Sequence, residues 1–515
     1  MKKIKYLLSL ITLVVLFTSS CSEEFLEVEP KGAQTAATFF KTETDVTRAI
    51  NALYLMNDFQ GIYGRGMFLY SLIASDDFVV GKSKAQIEDI KNFVTTGSGS
   101  YTRDIWSKHY QVIKRANDII NNVPGIEGVS DEVKNLALGN AHFMRGLAYY
   151  QLGIVYGDDR AGIPIVDEFT TDFYISRPES VTVTYEFAAK DFTKAAALLP
   201  LFSELLPSNY GTAHKNAAYS YLAAAHLHNA EFDSDSWQKV IDACNAVTAT
   251  QDVLEPNYED IFKISNNWGI EYIWSISSNT TGGSILPGAS LENKGWGKYN
   301  GWGYFAPTLD LYESYQVGDL RRDATLLAFA NEFVFFGETR KYWSTRSLTG
   351  FQLKKYMEPY SYPDGIHLNG NGDHPTTDLN PSLMRLATVL LMRAEAKIML
   401  GQNGDPDLNR VRVRAGLSPI TGATLEHVKY ERRAEFAGEG VDGRFYDLCR
   451  WGDVAEIKKA LSGRQHDDKE DPDSGFSIIE VWSERSNFDL VKHRVWPIPP
   501  NVIDSSLGLI KQNER

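Results

Sequence analysis

Small and apolar residues recur at three- and four-residue intervals through long stretches of this 515-residue chain. That spacing confines those stretches to helices packed against one another. Between Arg103 and Val123, the side chains of Trp106, Tyr110, Ile113, Asn117 and Ile120 share one helical face. A second helix is predicted from Ser130, with Asp131 and Glu132 in the first turn where the backbone dipole favours acids, to about Tyr156 before Gly157. The two predict an antiparallel pair. A further pair is legible in 212–250, where Ala217, Tyr221 and Ala224 line an alanine-rich helix and Trp237, Ile241, Cys244 and Val247 line another from Ser236 to Thr250. In the C-terminal half, Asn380 is expected to cap a helix with Pro381 at its first position. Its stripe of Leu383, Ala387, Leu390, Ala394 and Ile398 stops at Gly401.

The predicted fold class is mainly α, a scaffold of tetratricopeptide-like helical hairpins, although the repeat spacing is irregular and the full consensus is not met. From about 257 to 372 the pattern changes to Gly, Asn, Pro, Trp and Tyr, with short strand-like runs such as Tyr272 to Ile276. This predicts a long irregular insert of loops and short strands on the scaffold, and loops held by a rigid frame are where binding tends to sit. Within the insert, Trp296, Tyr299, Trp302, Tyr304 and Phe305 are interleaved with Gly297, Gly301 and Gly303. Glycines make this segment a loop, so several rings are expected to stand open to water. An open indole or phenol face suits the C–H face of a sugar ring, whose hydroxyls want planar polar partners such as Asn, Asp and Arg. Asn293, Lys298 and Asn300 lie in the same stretch. The competing reading is a satellite cluster of rings packed beneath the insert.

With 52 Lys and Arg against 66 Asp and Glu, the chain carries a formal charge of -14. That charge repels phosphate backbones and anionic lipid, so no nucleic-acid partner is expected. Lys2, Lys3 and Lys5 precede an apolar run from Leu7 to Phe17 that is too short to span a bilayer, the pattern of a signal peptide over 1–20. Thr18, Ser19 and Ser20 then lead to Cys21, which resembles the acylated cysteine of a bacterial lipobox, although Thr18 stands where Leu is usual. Ser22, Glu23 and Glu24 resemble the surface-export signal of Bacteroidetes lipoproteins. The competing reading is an ordinary secretory signal cleaved near Ser20. Lipidation at Cys21 would hold a soluble domain to the outer membrane, on the cell surface. Cys244 and Cys449 form neither a disulfide framework nor a zinc site.

Other charged constellations read as structure. Glu431, Arg432, Arg433, Glu435 and Arg450 have helical spacing that fits interlocking ion pairs. His226 and His228 are two apart on a helix and face apart, which is poor metal geometry. No cofactor is expected beyond a structural calcium ion, for which Asp373 and His374 in the NGNGDH loop are the candidates, and most such loops are merely irregular. GSGS at 97–100 lacks the last glycine of a nucleophile elbow. No phosphate loop, zinc-protease helix or dinucleotide fingerprint is present.

Several blocks then resemble one family. Phe25 to Tyr54, Trp106 to Ile120 and Asn140 to Ile165 are similar to the opening helices of SusD/RagB proteins, with Asn140 where the family usually has Glu. RLATVLLMRAEAKI (385–398), LNRVRVRAGL (408–417), ERRAEF (431–436), GRFYDLCRWGD (443–453) and VWPIPPNVID (495–504) follow in the family's order. Trp106, Trp451 and Trp496 fall in these blocks and read as core. The resemblance implies a signal peptide (1–20) and one α-helical domain (21–515) of four tetratricopeptide-like hairpins, with the variable insert at about 257–372. It further implies a non-enzymatic outer-membrane lipoprotein that captures a glycan and delivers it to a SusC-like TonB-dependent transporter. In this family the site also draws on the loop after the first helices, here roughly 75–100, making Asp77, Lys82 and Asn92 candidates beside Trp296, Tyr299, Trp302 and Tyr304. The alternatives are a RagB-like peptide ligand, a surface hydrolase using acids such as Asp76 and Asp77, and a pure scaffold.

Overall fold

The computed structural model describes residues 39–514 apart from 55–58, 173, 279–285, 293–300, 344–346, 363–366, 369–374, 441, 469–470 and 472. The signal segment, Cys21, Trp296, Tyr299, Asp373 and His374 lie outside the described residues. The first described long helix, α1 (Glu43–Leu53), opens on a capping box in which Thr42 and Asp45 bond each other's amides. α2 (Ser100–Asn122) and α3 (Asp131–Tyr156) form the predicted pair. Ser130 caps α3 by accepting the Val133 amide, and Asp131 and Glu132 occupy its first turn as expected.

α4 (Val181–Leu198) is not anticipated by the periodicity, because its β-branched first turn, Val181 to Thr184, reads as strand. Ser180 overrides that preference by accepting the Thr182 amide at 3.1 Å. α5 (Lys215–Asn229) and α6 (Ser236–Thr248) form the second predicted pair. α7 (Leu386–Met399), α8 (Asp405–Arg414), α9 (Leu425–Phe436) and α10 (Arg444–Trp451) complete the scaffold. Each helix from α2 to α6 packs on its successor, α6 packs on α7, and α7 packs on α8 and α9, so the fold is a mainly α, tetratricopeptide-like stack.

Close approach of α3 and α4 depends on glycines spaced by seven. A Cβ on Gly139 would meet Leu199 at 2.7 Å, on Gly146 it would meet Phe192 at 3.0 Å, and on Gly153 it would meet Tyr185 at 2.8 Å. The same layer holds a polar cluster: Arg145 donates to both Asp191 oxygens at 2.7 and 2.9 Å and to Asn117 Oδ1 at 2.6 Å. Asn117 therefore sits on the buried face of α2 because it has a partner there.

Short strands pair in twos. β1 (Phe78–Val80) lies in the 75–100 loop, while β2 (Tyr272–Ser275), β3 (Phe305–Pro307), β4 (Glu332–Phe335) and β5 (Glu338–Lys341) lie in the insert. β6 (Ser382–Arg385) precedes α7, and β7 (Leu461–His466) and β8 (Phe476–Trp482) form a C-terminal hairpin. β6 corrects the expected helix start at Asn380 and Pro381. Residues 382–385 pair antiparallel with β2, the Pro381 carbonyl accepts the Ile276 amide at 3.0 Å, and α7 begins only after Arg385. Strand pairing satisfies backbone groups that a proline-started helix would have left to local caps.

Trp106 and Trp496 are buried in the main core, whereas Trp451 is half-buried with Nε1 donating to Glu395 at 2.9 Å. The charged residues of α9 and α10 interlock as their spacing predicts. Arg432 pairs with Asp447 at 2.8 Å, Arg450 with Glu395 and Asp447, and Glu435 accepts from Arg385, Arg414 and Arg321.

Candidate functional site

The antiparallel β1/β3 pair joins the two segments that sequence reasoning could only propose separately. Phe78 stands opposite Pro307 and Val80 opposite Phe305. The strands continue into a close approach that only glycine permits: a Cβ on Gly81 would lie 2.4 Å from the Gly303 carbonyl oxygen. Residues 302–304 are laced to the short helix Leu286–Ser290, with the Trp302 amide donating to Gly288 O at 2.7 Å and the Tyr304 amide to Ala289 O at 3.0 Å. Lys84, exposed in the loop after β1, donates from Nζ to Tyr304 Oη at 2.8 Å. Its ammonium also stands 5.0 Å from the Tyr304 ring centroid. The Arg65 guanidinium covers Trp302 at 4.7 Å, and the Trp302 and Tyr304 rings are 5.4 Å apart. Tyr101, in the first turn of α2, borders the pair half-buried. Burial pushes the Tyr304 phenol above its usual range, so at neutral pH it remains protonated against the ammonium.

This geometry revises the expectation of open rings. Trp302 is 8% exposed and Tyr304 2%, and both belong to the main core cluster. The cause is the β1/β3 ladder, which draws the glycine-rich segment onto the scaffold instead of leaving it as a free loop. Arg65 and Lys84 set cations against the two rings. Trp296 and Tyr299 occupy positions outside the described residues.

Asp77 is 1% exposed, and Arg433 donates to its Oδ1 from Nε at 2.8 Å. Asp76 is held by Arg444 at 2.9 and 3.1 Å and by Arg433 at 3.2 Å. Burial opposes the Asp76 carboxylate, but Arg433 and Arg444 prevail and hold its carboxyl well below the usual range. These two acids anchor the loop to α9 and α10, and Asp77 also lines a cavity that it shares with Arg433, Glu439 and Asp442. The Asp77 carbonyl also accepts the Thr308 amide at 3.0 Å, fixing the segment just after β3. Asn92 ends the short helix Ala85–Lys91 half-buried, its Oδ1 accepting from Trp482 Nε1 at 3.0 Å. Lys82 is exposed.

The structure thus brings Trp302 and Tyr304 beside the 75–100 loop but turns Asp77 and Asn92 toward the scaffold. Sequence reasoning missed Arg65, Lys84 and Tyr101. The glycines of GIYGRG around Arg65 marked a close backbone approach, yet no periodicity tied that stretch to the insert. Among the described residues no group of three or more His, Cys, Asp or Glu side chains is placed to hold a metal ion. No described helix is long and apolar enough to cross a membrane.

Comparisons with known proteins agree with this architecture. Residues 331–515 match the model of the SusD family, and residues 24–227 match one described as starch-binding, associating with outer membrane. A SusD-like protein P2 of Formosa agariphila is 28% identical over 489 residues, covering 88% of this chain and 90% of that protein. A solved SusD-like protein of Bacteroides fragilis superposes with a TM-score of 0.77 at 21% identity, covering 93% of this chain and 98% of that one. The surface glycan-binding protein A of Bacteroides thetaiotaomicron, solved in complex with laminarihexaose, superposes at 0.69 with 21% identity, covering 91% and 99%.

Proposed function

This chain belongs to the SusD family, and from that premise we propose that it is a non-enzymatic cell-surface lipoprotein that captures a glycan at the β1/β3 junction. The observation that carries the reading is the Lys84–Tyr304 contact, which fastens the 75–100 loop to the glycine-rich insert and sets cationic and phenolic donors beside that insert. Sugar hydroxyls bond well to such fixed donors, and flat rings nearby contribute apolar contact. The resemblance to a protein solved with laminarihexaose supports the ligand class. Trp296 and Tyr299 are assigned as ring contacts from the same insert. Acyl chains on Cys21 anchor the protein to the outer membrane, and a SusC-like TonB-dependent transporter receives the glycan.

Affinity electrophoresis and calorimetry against a panel of polysaccharides, oligosaccharides and peptides test this reading. Glycan binding is expected to fall about tenfold, ~1.4 kcal/mol, in Lys84→Ala and in Trp296→Ala. If every glycan fails while peptides bind, the ligand assignment is wrong. The tether and partner are tested by mass spectrometry of Cys21 and by co-purification of the transporter from detergent-solubilised outer membrane. An unacylated Cys21, or a pull-down without a TonB-dependent transporter, would remove those two parts.

A further inference from the structure

The β1/β3 junction carries two cations that no acid matches. Arg65 lies in the helical segment Phe59–Met67, which is pressed against the start of α2: a Cβ on the adjoining Gly66 would lie 2.8 Å from Ile105 Cδ1. From there its guanidinium covers Trp302, while the Lys84 ammonium stands over Tyr304. Those two rings adjoin, so both charges rest on one aromatic pair. Among the described residues neither cation joins an ion pair.

Both cations are within reach of solvent. Lys84 is exposed, with one bond to Tyr304 Oη. Arg65 is half-buried: its Nε is enclosed, whereas its two terminal nitrogens keep contact with water. The acids on the joined segments are engaged elsewhere. Asp76 holds Arg444, Asp77 holds Arg433, Glu88 accepts the Ser83 hydroxyl at 2.5 Å, and Glu292 accepts the Tyr342 phenol. The first turn of α2 carries no acid either. Burial and then Tyr304 push the Tyr101 phenol up, and the charges acting against them are those of Lys84 and Arg65. Guanidiniums elsewhere hold carboxylates, as Arg145, Arg321, Arg385, Arg432 and Arg450 do.

We infer that the junction selects a saccharide bearing an oxyanion, a uronate carboxylate or a sulfate ester, with Arg65 and Lys84 as its contacts. The inference rests on the glycan reading above and adds the charge of the ligand. A guanidinium lying over a ring turns its face there and keeps its terminal N–H groups for an acceptor. Hydrogen bonds from a cation to an oxyanion are about twice as strong as those between neutral groups, so an acidic sugar gains more here than a hydroxyl would. The overall charge of -14 does not cancel this gain. At physiological salt distant charges are screened over about 8 Å, whereas a cation in contact with its ligand is not.

Calorimetry on the full-length protein tests the inference with two charged sugars and their uncharged counterparts: hexagalacturonate against its methyl ester, and a κ-carrageenan hexasaccharide against neoagarohexaose. Laminarihexaose and maltohexaose complete the set, and thermal melts verify folding. One charged sugar should bind about tenfold tighter than its counterpart and than either glucan, and which one it is distinguishes carboxylate from sulfate. Arg65→Gln and Lys84→Gln should each remove most of that advantage. Lys84 is exposed, so its variant decides the matter even if Arg65→Gln lowers the melting temperature. Raising salt from about 0.05 to about 0.5 M should narrow the advantage severalfold. Charged sugars that bind no tighter than their counterparts overturn the selection and leave the proposed function standing. A preference that persists in both variants places the anion elsewhere and overturns the two contacts. Failure of every sugar, in this set and in the wider panel, overturns both readings.

Discussion

Replacing Glu292 by glutamine separates the insert's stability from pH. Glu292 sits at the foot of the glycine-rich segment: its carboxyl accepts from Tyr342 Oη at 2.6 Å, its amide donates to Gln352 at 2.8 Å, and its carbonyl accepts the Gly301 amide at 3.1 Å. Burial outweighs the hydrogen bonds from Tyr342 and Ser347 and pushes this carboxyl from 4.5 up to about 7. Between those values the folded chain keeps a proton that the unfolded chain has released, so folding weakens as pH rises through this window and levels off above it. At ~1.4 kcal/mol per unit the loss amounts to roughly 3 kcal/mol. Burial pushes His214 and His226 down to about 4, and their contribution runs the opposite way, lost as pH falls below 6.5. The native protein therefore mixes both slopes, and only the difference between it and Glu292→Gln isolates the carboxyl. Glutamine keeps an acceptor for Tyr342 but does not titrate. Urea unfolding, together with hydrogen exchange of peptides over 286–305 corrected for intrinsic rates, should place the variant within about 1 kcal/mol of the native protein at pH 5. At pH 8 the variant should be more stable by up to about 3 kcal/mol. Parallel curves from pH 5 to 8 would refute the reasoning.

Glu435→Gln leaves the three guanidiniums of Arg385, Arg414 and Arg321 under-compensated and should cost about 3–5 kcal/mol in urea unfolding. Its carboxyl is buried, but Arg414, Arg385 and Arg321 hold it well below the usual range, so the native contribution is present at neutral pH and lost only in acid. Gly153→Ala gains about 1 kcal/mol of helix propensity but forces the Tyr185 ring away from a 2.8 Å contact. A net loss of about 1–2 kcal/mol is expected by thermal unfolding, and a stabilised variant would show that α4 yields freely. His214 donates to the Ile273 carbonyl at 2.7 Å with its other nitrogen unsatisfied, so His214→Gln should lower the acid-unfolding midpoint. An unchanged acid limb would place that sensitivity elsewhere.

The sequence by itself determined the helical scaffold, because helix formation is written in local periodicity and caps: Ser130 with Asp131 and Glu132 starts α3 where those residues predict. It determined as well that Arg432 and Arg450 would serve ion pairs, since helical spacing limits whom a side chain can reach. Tertiary structure alone decided that residues 382–385 would be a strand, because their partner lies more than a hundred residues away at Tyr272 to Ser275. It also decided the fate of the glycine-rich rings. Local composition allows Trp302 and Tyr304 either to face water or to pack inward, and the choice falls to the β1 strand, whose ladder with β3 sets Lys84 on Tyr304 and draws both rings into the core. Contacts between residues distant in sequence leave no period behind them, so a site built from such contacts becomes visible only when the chain has folded.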